Sequence, residues 1–105
     1  MYMPSEHQEL HDEADRNLID FLRIELDLGF TFAKVAKTEH DLGNLEHAEK
    51  SKQRAIAAME SARYFQQRLP NPEAKRSVSG RCAELDRLIA AIDTGESGSR
   101  APRSD

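Results

Sequence analysis

The stretch from Ser5 to Leu42 most constrains the fold, because nothing within it stops a helix. Its apolar residues recur at steps of three and four, the spacing that places them along one side of an α-helix. Ser5 and Gln8 have the spacing of a capping box, and Gly43 suits the left-handed position that ends a helix. We therefore predict one long helix over about residues 5–42.

A second helix is predicted over about residues 45–69. Asn44 is a favoured N-cap at its start, and Pro70 cannot continue it at its end. The connection at Gly43 is only a residue or two long. So short a link predicts that the first two helices lie antiparallel as a hairpin.

A third helix is predicted over about residues 72–94, with Asn71 as its cap and Pro72 at its first position. Beyond it, residues 95–105 contain no large apolar side chain and are rich in Gly, Ser and Pro, so we expect a flexible tail. The chain is thus expected to form one all-α domain over residues 1–94, a three-helix bundle built on the long hairpin.

The second helix carries an unusual row of small side chains. Ala48, Ala55 and Ala62 repeat every seven residues, which predicts a seam that a neighbouring helix can approach closely. We expect bulky residues of the first helix to pack into this seam, namely Phe21, Leu28, Phe32 and Val35. Gly29 is expected to allow close approach of another helix on the same side.

Two short motifs carry a resemblance to a known family. They are LGFTF, which holds Leu28, Gly29 and Phe32, and GNLEHA, which holds Gly43, Leu45 and Ala48, with Ala55 following. Over about residues 25–55 they resemble the helix-turn-helix unit of tetratricopeptide repeats, which implies hairpin packing of that type and a role in protein interaction. Glu25 and Lys52 stand where that family favours aromatic residues.

Length and composition narrow the function classes. The 105 residues suit one domain without a large cleft between lobes, and the net charge of −4 lacks the basic face that nucleic acid requires. No apolar run approaches the length of a membrane span. The single Cys82 falls on an apolar helix side and is expected to be a core residue. We expect a cytoplasmic, non-enzymatic protein that uses no cofactor and binds neither nucleic acid nor membrane.

The histidines leave an alternative function open. His7 and His11 are four residues apart and could bind a metal ion, while His40 and His47 flank the predicted turn and could belong to a histidine phosphotransfer protein. Neither pattern has a second set of matching residues. A small metal-binding or phosphotransfer protein is therefore the alternative to an interaction module.

Glu25 falls near the centre of the apolar arc of the first helix, so we expect it to be at least partly buried. A buried carboxylate needs a partner. We expect an ion pair, with Lys52 or an arginine of another helix, and keep a general base as the second interpretation.

The apolar arc of the first helix is too wide for one neighbour, since it spans roughly two thirds of the circumference against the ~100° of an ordinary surface helix. We expect a protein partner, most simply a second copy in a homodimer, to contact its flanks through Ile19, Ile24, Leu26 and Phe30. The first helix also projects beyond the hairpin at residues 5–15, which hold five acids and no base. We expect this projection to fray or to pack on another molecule.

Overall fold

A computed structural model of the protein describes residues 4–94, and within them the side chains of residues 13–93. The chain forms three helices, α1 (Pro4–Asp41), α2 (Leu45–Gln66) and α3 (Pro72–Thr94). No strand occurs in this part of the chain, so the predicted all-α three-helix bundle is confirmed. The predicted tail at residues 95–105 lies outside the described residues.

The turn between α1 and α2 depends on Gly43, whose φ of 87° lies in the left-handed region, as predicted. The amide of Gly43 donates to the carbonyl of His40, and the amide of Asn44 donates to the carbonyl of Glu39, each within 3.0 Å. These two bonds form the Schellman arrangement that closes a helix end. The chain therefore reverses within three residues, and α2 runs back along α1.

The side chain of Asn44 does not cap α2, contrary to the prediction. Its amide nitrogen donates instead to Oε1 of Glu39 at 2.7 Å, which ties the start of α2 to the last turn of α1. The prediction for Asn71 is confirmed, because its Oδ1 accepts hydrogen bonds from the amides of Glu73 and Ala74 at the start of α3. The tight turn at Gly43 explains the difference, since it leaves Glu39 within reach of Asn44.

Helix α2 ends at Gln66, three residues before the predicted end at Leu69. The amides of Arg68 and Leu69 bond to carbonyls three residues back rather than four, which tightens the last turn and ends the helix before Pro70. Leu69 is nevertheless fully buried, so it anchors the connection to α3 against the core.

Small and medium side chains from all three helices form one core. Its α1 members lie along one line of the helix and are Leu22, Leu26, Ala33 and Ala36. Those of α2 are Ala48, Ala55, Ala58, Met59 and Ala62. Those of α3 are Cys82, Leu85, Ile89 and Ile92. The alanine row of α2 is buried as predicted, and Gly29 of α1 packs against it at Ala55 and Ala58.

Gly29 lies at a close contact between helices, as the sequence predicted. A Cβ atom placed there would stand 2.6 Å from Cδ2 of Leu85 and 3.4 Å from Cβ of Ala58. Glycine is therefore required by space rather than by backbone conformation. One point on α1 contacts α2 and α3 at once, which fixes how α1 is rotated in the bundle.

Ion pairs between helices align α3 with the hairpin. Lys52 of α2 donates to Asp93, and Arg81 donates to Asp27 of α1 at 2.8 Å. The hydrogen bond to Asp93 raises the pKa of Lys52, an effect that partial burial opposes. Because these pairs are partly exposed, each stabilises the fold by no more than about 1 kcal/mol. They specify the register of helices that the apolar core holds together.

Candidate interaction surface

The four residues predicted to bind a partner do not lie together on the surface. Leu26 is only 1% exposed and belongs to the core. Ile19 and Phe30 are half-buried against the core, and the guanidinium of Arg81 lies 5.1 Å from the Phe30 ring centre. Only Ile24, at 58% exposure, projects into solvent. Leu26 therefore cannot belong to a binding surface, and Ile19 and Phe30 make most of their contacts within the bundle.

Three of the residues expected to pack into the alanine seam lie outside it. Phe21, Leu28 and Val35 are exposed, and only Phe32 is partly buried against the core. The prediction placed the inward side of α1 one residue away from its true position. Gly29 explains the difference, because its contact with both other helices turns the neighbouring large side chains outwards.

These exposed side chains form a continuous stripe along α1. We call it the outer stripe, and its apolar members are Phe21, Ile24, Leu28, Val35 and Leu42. Exposed Thr31 and Thr38 occupy the two gaps, so the positions alternate in steps of three and four. This alternation is the heptad pattern by which one helix packs against another. Within the described residues the bundle covers the stripe only in part at Phe21, whose ring meets Phe65 of α2.

An aromatic cluster borders the outer stripe at the end away from the hairpin turn. The rings of Phe21 and Phe65 meet edge to face at 5.3 Å between centres, and Tyr64 meets Phe65 at 4.9 Å. The Arg68 guanidinium lies 5.3 Å from the Phe65 ring centre. Exposed aromatic and arginine side chains are enriched where proteins bind one another.

Charged residues flank the outer stripe, and most of them are already paired. Asp20 bonds to Arg23 at 3.3 Å and Asp41 to Lys37 at 3.0 Å within α1. Lys34 is exposed and makes no ion pair with any side chain between residues 13 and 93. One edge of the stripe thus presents a cation that the bundle does not use.

Glu25 is half-buried at the other edge of the stripe, and the expected ion pair with Lys52 is wrong. Lys52 bonds to Asp93 instead. None of the described side chains forms an ion pair with Glu25. The carboxylate avoids an unpaired buried charge by keeping part of its surface in water, because the true inward side of α1 is rotated away from it.

The histidines that the sequence offered as metal-binding or phosphotransfer groups and the single cysteine do not form a site among the described side chains. Among the side chains of residues 13–93, no three His, Cys, Asp or Glu residues lie close enough to hold a metal ion. The side chains of His7 and His11 lie outside the described residues, while His40 and His47 stand at the turn, half-buried and exposed respectively. Cys82 is buried as predicted, and burial raises the pKa of its thiol.

One apolar cleft lies between α1 and α3, with a volume of about 240 Å³. Its walls include Ala33 and Leu88, and Lys37 stands at its side. This volume is below the roughly 300–1,000 Å³ of a typical small-molecule site. A second depression, of about 410 Å³ and with Asp27 and Arg81 in its walls, is polar and wide open to solvent rather than an enclosed apolar site. Among the described residues, the outer stripe is therefore the apolar surface that the fold leaves unexplained.

None of the described helices is long and apolar enough to cross a membrane. Comparison with protein-family models, curated proteins and solved structures finds no match to this chain. The function must therefore be argued from the surface itself. The stripe was visible in the sequence as apolar residues seven apart at 21, 28, 35 and 42, but the same residues also fitted the interior of the hairpin.

Proposed function

We propose that this protein is a non-enzymatic interaction or assembly module that self-associates through the outer stripe of α1. The observation that carries the proposal is the exposure of five large apolar side chains in a heptad pattern on one helix. Contiguous apolar surface of this kind is uncommon on monomers and marks binding surfaces. A second copy supplies the same stripe, so a two-fold dimer would cover both at once.

We further propose that the protein acts without catalysis or a cofactor and that it is cytoplasmic. The surface that the fold leaves unexplained is apolar rather than a cluster of titratable groups, which supports a non-catalytic role. The single buried thiol of Cys82 supports a cytoplasmic location, since it offers no disulfide for an oxidising compartment. Nucleic acid and membrane surfaces are not among the proposed partners.

We also propose that the α1–α2 hairpin packs in the manner of a tetratricopeptide unit. Support comes from Gly29, which stands against Ala55 and Ala58 where the resemblance calls for small residues in contact across the hairpin. An isolated unit of that kind leaves one face open. In this chain α3 covers one side of α1, and the outer stripe is the side that remains.

Sedimentation velocity tests the proposal with a matched pair of variants. Leu28→Glu places a charge in the outer stripe, and Leu88→Glu places the same charge on α3 at a leucine of similar exposure, 39% against 44%. Full burial of a leucine contributes about 1.5–3 kcal/mol, so covering the exposed 44% of Leu28 contributes roughly 0.7–1.3 kcal/mol. A dimer buries two such side chains, so we expect Leu28→Glu to weaken the dimer at least about tenfold. Leu88→Glu should leave it intact.

Phe30 is unsuitable for this purpose, because it packs against the core and a charge there would also destabilise the bundle. Circular dichroism of both leucine variants verifies that the helices persist. A wild-type chain that sediments as a monomer at high micromolar concentration contradicts the proposal, as does equal weakening by the two variants.

A further inference from the structure

The outer stripe also indicates how two copies are oriented, an inference that rests on the proposed self-association. We propose that the two α1 helices pack antiparallel, with Leu28 of one copy facing Thr31 of the other. The same register places Val35 opposite Ile24 and Phe21 opposite Thr38. Every layer of the interface then pairs residues of different size or shape.

Side-chain volume favours this register over a parallel one. A parallel pairing would set Phe21 against Phe21 and Thr38 against Thr38, so two large rings would crowd one layer and two hydroxyls would meet in another. Two facing threonines would also leave a gap in their layer while two facing phenylalanines overfill theirs, and unfilled space in a packed interface is unfavourable. The antiparallel register fills the space beside each threonine with an apolar side chain of the other copy, as knobs fill holes.

Charge at the edges of the stripe points the same way. The antiparallel register brings Lys34 of each copy beside Asp27 of the other. Lys34 makes no ion pair within residues 13–93, and Asp27 remains 63% exposed even though one of its oxygens accepts from Arg81. Two symmetric Lys34–Asp27 pairs therefore form near the centre of the interface without breaking a contact inside either bundle.

The unfavourable contacts are also smaller in the antiparallel arrangement. It brings Asp20 near Asp41 of the other copy, but each of these carboxylates already has a base on its own helix. A parallel arrangement would bring Lys34 beside Glu39, whose Oε1 already accepts from Asn44. It would bring Asp20 beside Glu25, which has no ion pair within residues 13–93. It would also run the two acidic segments of residues 5–15 side by side. Like charges at such positions destabilise helix pairing.

Distances between spin labels test the orientation. Single cysteines replace the exposed Thr31 or Thr38 in a Cys82→Ala background, and each is labelled and measured by pulsed dipolar spectroscopy. In the antiparallel register the two Thr38 positions are separated along the axis by about 25 Å, and the two Thr31 positions by about 5 Å. We therefore expect a long distance for Thr38→Cys and a short one for Thr31→Cys.

Each outcome of this experiment decides a separate question. Short distances for both labels mean a parallel dimer, which overturns the orientation and leaves the proposed function standing. Long distances for both mean association through another surface, which overturns both the orientation and the role of the outer stripe. A monomeric mass of the unlabelled wild-type chain overturns self-association itself, and a label that alone makes a dimeric wild type monomeric places that threonine in the interface.

A charge reversal provides a second test that does not depend on Cys82. Lys34→Glu replaces two central attractions by two repulsions, and at low salt we expect about a tenfold weaker dimer. Lys50→Glu makes the same change at an exposed lysine of α2 and should leave the affinity unchanged. Adding Asp27→Lys to Lys34→Glu restores opposite charges across an antiparallel interface. Failure of this double variant to regain affinity over Lys34→Glu contradicts the register.

Discussion

Replacing Gly29 with alanine should destabilise the bundle, although alanine is the better helix former. The added methyl carbon would stand 2.6 Å from Cδ2 of Leu85, well inside van der Waals contact. Leu85 is fully buried in the core, so its methyl group can move only if the side chains packed around it also shift. The substitution therefore forces either a change of the Leu85 rotamer or a separation of α1 from α3.

The size of the effect follows from two opposing contributions. Alanine in place of a helical glycine favours folding by about 1 kcal/mol. An extra carbon in a well-packed core disfavours it by about 1–3 kcal/mol. The net change at Gly29 should be a loss of up to about 2 kcal/mol in the free energy of unfolding.

Gly80 offers a matched control within the same protein. It lies inside α3, is exposed, and has no atom within 4 Å of the position that a Cβ would take. Gly80→Ala should therefore show only the gain from helix propensity, about 0.5–1 kcal/mol. The difference between the two glycine substitutions isolates the crowding at the point where the three helices meet.

Urea unfolding followed by far-ultraviolet circular dichroism measures both variants at one protein concentration, so that any dimerisation affects them equally. Leu85→Ala provides the decisive background, because it removes the methyl group that the added carbon at position 29 would meet. In that background Gly29→Ala should become neutral or stabilising. If Gly29→Ala stabilises the otherwise wild-type protein as much as Gly80→Ala does, the argument for a close three-helix contact is refuted.

Three further predictions concern the turn, the cap and the thiol. Gly43→Ala should destabilise the protein by about 1–2 kcal/mol in urea unfolding, because its positive φ is unfavourable for alanine although space is available. Asn71→Ala should lower the free energy of unfolding by about 1 kcal/mol, because it removes two hydrogen bonds that cap α3. The side chain of Asn44 forms no cap bond, so Asn44→Ala should lower it by less, and equal losses would contradict the assignment of Asn71 as the capping residue. Because Cys82 is buried, it should react with a thiol reagent far more slowly in the folded protein than in urea. Equal reaction rates would contradict the burial of this thiol. Because burial raises the pKa of this thiol, the neutral form stabilises the fold at neutral pH, and this stability is lost as the pH rises through the alkaline range in which the thiol ionises; thermal melts at alkaline pH would detect the loss.

The sequence alone determined where the helices begin and end. Gly43, Pro70 and Asn71 act through local backbone geometry, so their effects are readable without knowing what packs against what. The observed end of α2 lies three residues before the predicted one, because a tightened turn precedes Pro70. Burial of the alanine row was also predictable, since a row of small side chains on an otherwise polar helix allows a neighbouring helix to pack closely against it.

Only the tertiary structure decided which side of α1 faces the interior. Apolar residues span about two thirds of the circumference of that helix, so a helical wheel permits several sides of the helix to face the core. Contact of Gly29 with Leu85 and Ala58 selects one of them. That choice buries Leu26 and exposes Leu28, because residues two apart on a helix differ in direction by about 200° and so point to nearly opposite sides. The candidate surface thus depends on a packing contact between residues far apart in the chain.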